Sequence, residues 1–428
     1  MKRCLSLLAV TGLILGATAC SVNPVTGERQ LTLMSADQEL AIGAENYQPS
    51  QQSQGGRYVV DPELGLYVSQ VMDKLAAVSD RPGLPYEIVV LNNGVPNAWA
   101  LPGGKMAINR GLLVELEDEA QLASVLGHEI VHAAARHSAS QQTRNVLLQA
   151  GMLAAGVAAS QSDSEYAGLA MGAVGVGAMA WQAKYSRSHE LESDRYGIQY
   201  MVEAGYDPQA AVELQQTFVR LSEGRQSNWL DGLFASHPPS QERVNANKAL
   251  AEQYGGGVRN KAAFDRAMAQ LRRDQPAYEQ YQQAQKAASE KQYDRALALV
   301  EQAIDHQPKE NLFWELKGQL LMQKKQPGEA IAAFDRSIAA NPEFFRPLVY
   351  RGLLHKQQNN TRQAREDLEQ SRQLLPTQLG SYHLGELAQQ RGDREAAVSY
   401  YREVASGGGE LGEAAQSKLS QLGVQAGS

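Results

Sequence analysis

Leu122-Ala123-Ser124-Val125-Leu126-Gly127-His128-Glu129-Ile130-Val131-His132 is the stretch on which the reading of this chain turns. Its apolar periodicity predicts a helix over 119–137. Positions four apart on a helix share a face, so His128 and His132 offer two ring nitrogens to one point. That is ligand spacing for a single zinc ion. Glu129, beside them, is placed to take a proton from a water that attacks a peptide carbonyl. A carboxylate in the middle of an apolar helix costs free energy unless it is paired or used. The stretch therefore predicts metal-assisted hydrolysis.

Such a site needs a third protein ligand. Ser186-Arg187-Ser188-His189-Glu190-Leu191-Glu192-Ser193-Asp194 offers His189, Glu190 and Glu192. Glu190 and Asp194 share a helical face, which lets Glu190 bind metal while Asp194 accepts a hydrogen bond from a ligand histidine. Glu192 points elsewhere on that helix and reads as a solvated charge. His189 remains a rival to Glu190. His237 precedes Pro238 and Pro239. It reads equally as an ordinary loop residue and as a side chain presented to the site by a stiffened loop.

Outward from the site, the elements alternate in type. Ser35 to Glu39 starts a helix, Asp61 to Val78 has helical periodicity, and Tyr86 to Leu91 reads as a strand. Asn97 to Leu101 and Lys105 to Asn109 flank Pro102-Gly103-Gly104 and predict a hairpin. Gly111 to Leu116 continues as helix. A small sheet followed by helices is an α+β domain, and the chain as a whole is expected to be mostly helical. Residues 145–181 are rich in Ala, Gly and Met and read as two close-packed helices, a candidate mobile flap over the site, rather than a membrane span.

The two ends differ from this middle. Lys2-Arg3, the apolar run Leu5 to Leu15, and Ala17-Thr18-Ala19-Cys20 form a secretory signal sequence, residues 1–19. Cys20 then reads as a lipidated first residue of a membrane-anchored protein; an ordinary cleavage after Ala19 is the other reading. The sequence has two cysteines, and Cys4 leaves with the signal, so no internal disulfide is expected in the mature chain. Beyond Gly255-Gly256-Gly257, residues 256–275 read as a connection with a helix over 264–271. From 276 to 425, Ala284, Gly318 and Gly352 recur at 34 residues, as do Ala296, Ala330, Ala364 and Pro308, Pro342, Pro376. That is the period of an all-α tetratricopeptide repeat (TPR) solenoid; a fourth unit slips by one residue at Gly385 and Ala397. A net charge of −7 without a basic stripe excludes nucleic acid as an implied partner.

Asn97-Ala98-Trp99-Ala100-Leu101-Pro102-Gly103-Gly104, the segment through His132, Ser186-Arg187 with Glu190 and Asp194, and Ser236-His237-Pro238 occur in an order that resembles the HtpX-type and CAAX-prenyl-protease gluzincin metallopeptidases. The similarity is greatest to an exported bacterial branch with C-terminal TPR repeats. Ser193 stands where that family usually has Ala. The resemblance implies a metallopeptidase domain over 20–255 with one Zn2+ per chain. It implies His128, His132 and Glu190 as ligands, with Glu129 and Asp194 as catalytic residues. His237 is implied as a fourth ligand that holds the enzyme latent. The strand Asn97, Ala98, Trp99 and Ala100 is implied to pair with substrate. The expected function is a periplasmic, outer-membrane-anchored zinc endopeptidase that removes misfolded or misassembled outer-membrane proteins, its repeats binding substrate or the assembly machinery. The alternative is a chaperone-like repeat adaptor with a latent or structural zinc.

Overall fold

A computed structural model describes residues 20–146, 185–223 and 231–424. The expected signal sequence and most of the small-residue stretch, from 147 to 181, lie outside the described residues. The chain divides into two compact units. One takes in the described parts of Met1–Tyr47, Glu63–Val90 and Gly94–Met268; the other takes in Gln48–Pro62, Leu91–Asn93 and Ala269–Ser428. The first is α+β and the second helical, the class expected. Among the described residues no helix is long and apolar enough to cross a membrane.

The segment after Cys20 is more structured than an extended leader. β1 (Cys20–Val22) pairs antiparallel with β2 (Arg29–Leu31). Asn23 shapes the turn: its Oδ1 accepts from the N–H groups of Val25 (2.9 Å) and Thr26 (3.3 Å), an Asx turn. α1 (Ala36–Ser53) begins at Ser35, where the Ser35 hydroxyl and the Gln38 side chain each accept from the other's backbone N–H, a capping box. α2 (Pro62–Ala77) buries Leu64, Val68, Val71, Met72 and Leu75 at helical spacing.

The three-stranded sheet comprises β3 (Glu87–Leu91), β4 (Ala98–Leu101) and β5 (Lys105–Asn109), in the order β3-β5-β4. The predicted hairpin pairs Ala98 with Ile108 and Leu101 with Lys105. Gly103 (φ 76°) and Gly104 (φ 83°) make its turn in the left-handed region, which explains the two glycines. β4 is left as an edge strand. A single turn, α3 (Arg110–Leu113), leads to α4 (Glu119–Ala134). Asp118 caps α4 by accepting from Gln121 N–H at 2.9 Å.

The predicted helix over 119–137 does not run through. α4 stops at Ala134, Arg136 adopts φ 61°, and helix resumes over 137–146. The Arg136 guanidinium holds this left-handed turn by donating to Glu39 Oε2 (3.0 Å) and the Met34 carbonyl (2.7 Å). Tertiary bonds outweigh local propensity here.

In the second unit the repeats form α11 (Gln275–Ser289), α12 (Tyr293–His306), α13 (Asn311–Gln323), α14 (Pro327–Ala340), α15 (Phe345–Gln357), α16 (Thr361–Leu374), α17 (Gln378–Gln390), α18 (Arg394–Ser406) and α19 (Gly409–Gln421). They are preceded by α10 (Ala269–Arg273). The single predicted helix over 264–271 is thus two short ones, α9 (Lys261–Ala267) and α10, parted at Met268. Lys291, Lys325 and Asn359 all end a helix at φ near 60°. The next N–H in each case reaches back to Ala287, Leu321 or His355 at 2.8–2.9 Å, the Schellman bond. The 34-residue glycines are contact positions: a Cβ on Gly318 would lie 2.5 Å from the Phe334 ring and one on Gly385 2.6 Å from Tyr401. Gly318→Ala should therefore lower the unfolding free energy of the repeat unit by roughly 1–3 kcal/mol through overpacking, read as a lower urea midpoint. Gly328→Ala, whose Cβ meets nothing within 4 Å, should leave it unchanged or raise it.

Candidate metal centre

α5 (Arg187–Glu203) crosses α4 at two glycines. A Cβ on Gly127 would lie 2.9 Å from the Gly197 carbonyl oxygen, and one on Gly197 3.0 Å from His128 N. Only glycine lets these backbones approach so closely, and the approach brings Glu190 and Asp194 to His128 and His132. Ser186 caps α5, accepting from His189 N–H, and so sets Glu190 in the first turn. α6 (Gln209–Glu223) and α7 (Asp231–Ser236) follow, and α7 delivers His237 at its end. Ser240 then caps α8 (Gln241–Ala251).

Four buried side chains converge: His128, His132, Glu190 and His237 present one ligand atom each, all within 4.8 Å of one another. His132 Nε2 lies 3.0 Å from His128 Nε2 and 3.4 Å from Glu190 Oε1. His237 Nδ1 lies 3.2 Å from His128 Nε2 and 3.0 Å from Glu190 Oε1. A tetrahedral ion with bonds of about 2.0–2.1 Å has donor separations of roughly 3.3 Å. The spacing and the N3O donor set fit zinc. His189 is not in this group; it stacks on His137 at 4.2 Å between ring centroids.

The electrostatics draw a cation to the same point. Burial opposes charge on His128, but Glu190 and Asp194 push its pKa up to about 10. Burial pushes His132 down. Burial likewise works against the Glu190 charge, yet His237 and His128 hold its carboxyl far below the usual range. Asp194 Oδ1 sits 2.9 Å from His128 Nδ1, behind the ligand edge of the ring. Glu129 is buried, with burial raising its pKa; among the described residues its Oε2 has no hydrogen-bond partner, and its Oε1 lies 3.6 Å from His237 Nε2. A cavity lined by Ala98, Val125, Leu214, Phe218 and Leu233 opens beside His128 and Glu129.

Three contributors were not read from the sequence. Arg243 donates to Asp194 Oδ2 and Oδ1 (2.6 and 2.7 Å) and pairs with Glu190 Oε2 at 2.9 Å. Its place three residues after a helix-capping serine was visible, but its partners were not. Tyr185 stacks on His132 at 3.8 Å. His137, turned back by the break at Arg136, places Nδ1 2.9 Å from His132 Nδ1. Glu192 departs from its expected solvated state: it accepts from Asn23 Nδ2 (2.8 Å) and meets His137 Nε2 at 3.1 Å.

Residues 62–251 match the model of peptidase family M48, and 281–343 match a tetratricopeptide repeat. The chain is 30% identical to a Vibrio cholerae protein over 225 residues, 52% of this chain and 46% of that protein. It is 33% identical to the mitochondrial metalloendopeptidase OMA1 of Schizosaccharomyces pombe, covering 52% of this chain and 63% of that one. It is 26% identical to the beta-barrel assembly-enhancing protease of Escherichia coli K12 over 80% of this chain and 77% of that one. The chain thus spans about half to two thirds of the length of the first two relatives.

Removing Arg243 leaves two buried carboxylates without their shared cation, and breaking such a pair costs about 3–5 kcal/mol. Arg243→Met should lower stability by that order in chemical unfolding of the metal-free protein. A loss under about 1 kcal/mol would show that the fork is not holding the site.

Proposed function

We propose that this chain, a metalloprotease of peptidase family M48 followed by tetratricopeptide repeats, is a zinc-dependent endopeptidase of outer-membrane protein quality control. The observation that carries the reading is the buried set His128, His132, Glu190 and His237 with Glu129 alongside. Residues 20–255 form the peptidase part, 256–275 the connection and 276–425 the repeats. His128, His132 and Glu190 hold the zinc, which supplies Lewis acidity to the attacking water and the scissile carbonyl.

The rest is done by the protein's own groups. Glu129 takes the proton of the attacking water and passes it to the leaving amine; a buried carboxylate with a raised pKa and a free oxygen suits both transfers. Asp194 fixes the His128 ring through Nδ1. The edge strand, Asn97 with Ala98, Trp99 and Ala100, pairs with an extended substrate backbone, and Ala98 lines the cavity beside Glu129. His237 occupies the fourth position in the resting enzyme and withdraws when substrate enters.

The repeats bind substrate or the outer-membrane assembly machinery, and misfolded or misassembled outer-membrane proteins are cleaved. The name of the E. coli relative supports this. Cys20, lipidated, anchors the enzyme to the outer membrane on the periplasmic side. One observation favours a second reading, a repeat adaptor with structural zinc: the site has four protein donors, as closed structural sites do.

Two variants separate these readings on an unfolded protein substrate. Glu129→Gln should keep its zinc and lose roughly 10²–10⁴-fold in kcat; undiminished cleavage sinks the enzymatic role of Glu129. His237→Ala should keep zinc and raise the cleavage rate. A fall in rate would mean that His237 serves catalysis or stability and not latency.

A further inference from the structure

The amino-terminal hairpin meets the metal centre through a chain of hydrogen bonds that the reaction outlined above does not use. Asn23 Nδ2 donates to Glu192 Oε1 at 2.8 Å. Glu192 Oε1 lies 3.1 Å from His137 Nε2, and His137 Nδ1 lies 2.9 Å from His132 Nδ1. Among the described residues, the other polar atom at His137 Nδ1 is Ser193 Oγ, at the long distance of 3.5 Å. Asn23, His132 and His137 are buried, and the Glu192 side chain is 21% exposed.

The chemistry of the four groups fixes a direction. A carboxylate accepts only, so His137 Nε2 carries hydrogen and donates to Glu192. A neutral His137 then has a bare Nδ1, which accepts from His132 Nδ1–H. That leaves the lone pair of His132 on Nε2, the atom facing Glu190 and His128. The opposite order would put hydrogen on the ligand atom. The far end is fixed as well: because Asn23 Oδ1 is taken by the N–H groups of Val25 and Thr26, its NH2 must face Glu192. Ring planes are held by stacking, His189 on His137 and Tyr185 on His132. The hairpin is fastened to the same helix end by Gln30 Nε2, which donates to the Ala135 carbonyl at 3.2 Å.

We propose that Asn23, Glu192 and His137 are positioning residues that select the metal-binding tautomer of His132, so that the first residues after Cys20 are a working part of the metal centre. The proposal rests on the zinc reading above. With no acceptor at 192, nothing holds hydrogen on His137 Nε2. The ring can then carry it on Nδ1 and donate to His132 Nδ1, which puts hydrogen on His132 Nε2.

The test is zinc affinity of the purified full chain by chelator competition, together with the visible spectrum of the cobalt(II) form. Glu192→Ala should bind zinc about 10–100-fold more weakly, the usual cost of losing an outer hydrogen-bond partner of a ligand, and should shift the cobalt bands. Asn23→Ala should show the same effects to a smaller degree, and it carries the test alone if Glu192→Ala does not fold. Glu203→Gln, an exposed change on the same helix, should leave both readouts at wild-type values. Wild-type affinity and cobalt bands in folded Glu192→Ala and Asn23→Ala overturn the relay while leaving the zinc enzyme intact. Absence of zinc binding by the unmodified chain overturns the zinc reading itself, and the relay with it.

Discussion

The metal centre depends on one buried cation. Arg243 forks onto both oxygens of Asp194 and reaches Glu190, so one cation is shared by two carboxylates held out of water. Without it, neither acid is affordable where it stands. With it, Asp194 is oriented towards His128 and Glu190 is oriented towards the ligand cluster. The same residue donates to the Pro238 carbonyl at 3.2 Å, which ties the backbone beside His237 to the carboxylates that His237 approaches. The placing of the proposed latch and the orienting of the ligands therefore share one guanidinium.

This sharing bears on how the fourth donor is released. The backbone just after His237 is pinned by proline and by Arg243, whereas α7 on its other side is a six-residue helix. Movement is easier on the α7 side, because a short helix has few bonds to give up. His237 meets Glu190, Glu129 and His128 together, so under the proposed latch its withdrawal would free Glu129 and a ligand position in one step.

Much of this was legible in the sequence because it was local. His128, Glu129 and His132 follow from helical spacing, the Pro102-Gly103-Gly104 hairpin from turn chemistry, and the repeats from a period that three independent residue series share. Glu190 and Asp194 were legible as a pair on one helix face, with His189 left as a rival that only three-dimensional placement set aside. What was not legible was non-local. Arg136 breaks a helix because of bonds to Met34 and Glu39, a hundred residues earlier. Glu192 looked solvated because nothing near it in sequence reveals Asn23 or His137 as partners. Arg243 is one arginine among many until the fold sets it against two acids.

The separations along the chain have a kinetic meaning. Asn23 and Glu192 are 169 residues apart, and His128 and His237 are 109 apart. Contacts of such range come late, since the entropy of closing long loops must be met before they return anything. The repeats rest on neighbouring helices, so each pair can form early and by itself. On the proposed reading, a chain caught part-way through folding, or one whose amino-terminal hairpin has come loose, would thus have no finished cutting centre. Under the proposed function, proteolytic competence would in effect report that the whole peptidase unit has folded, and a half-made copy would have no means of digesting its neighbours.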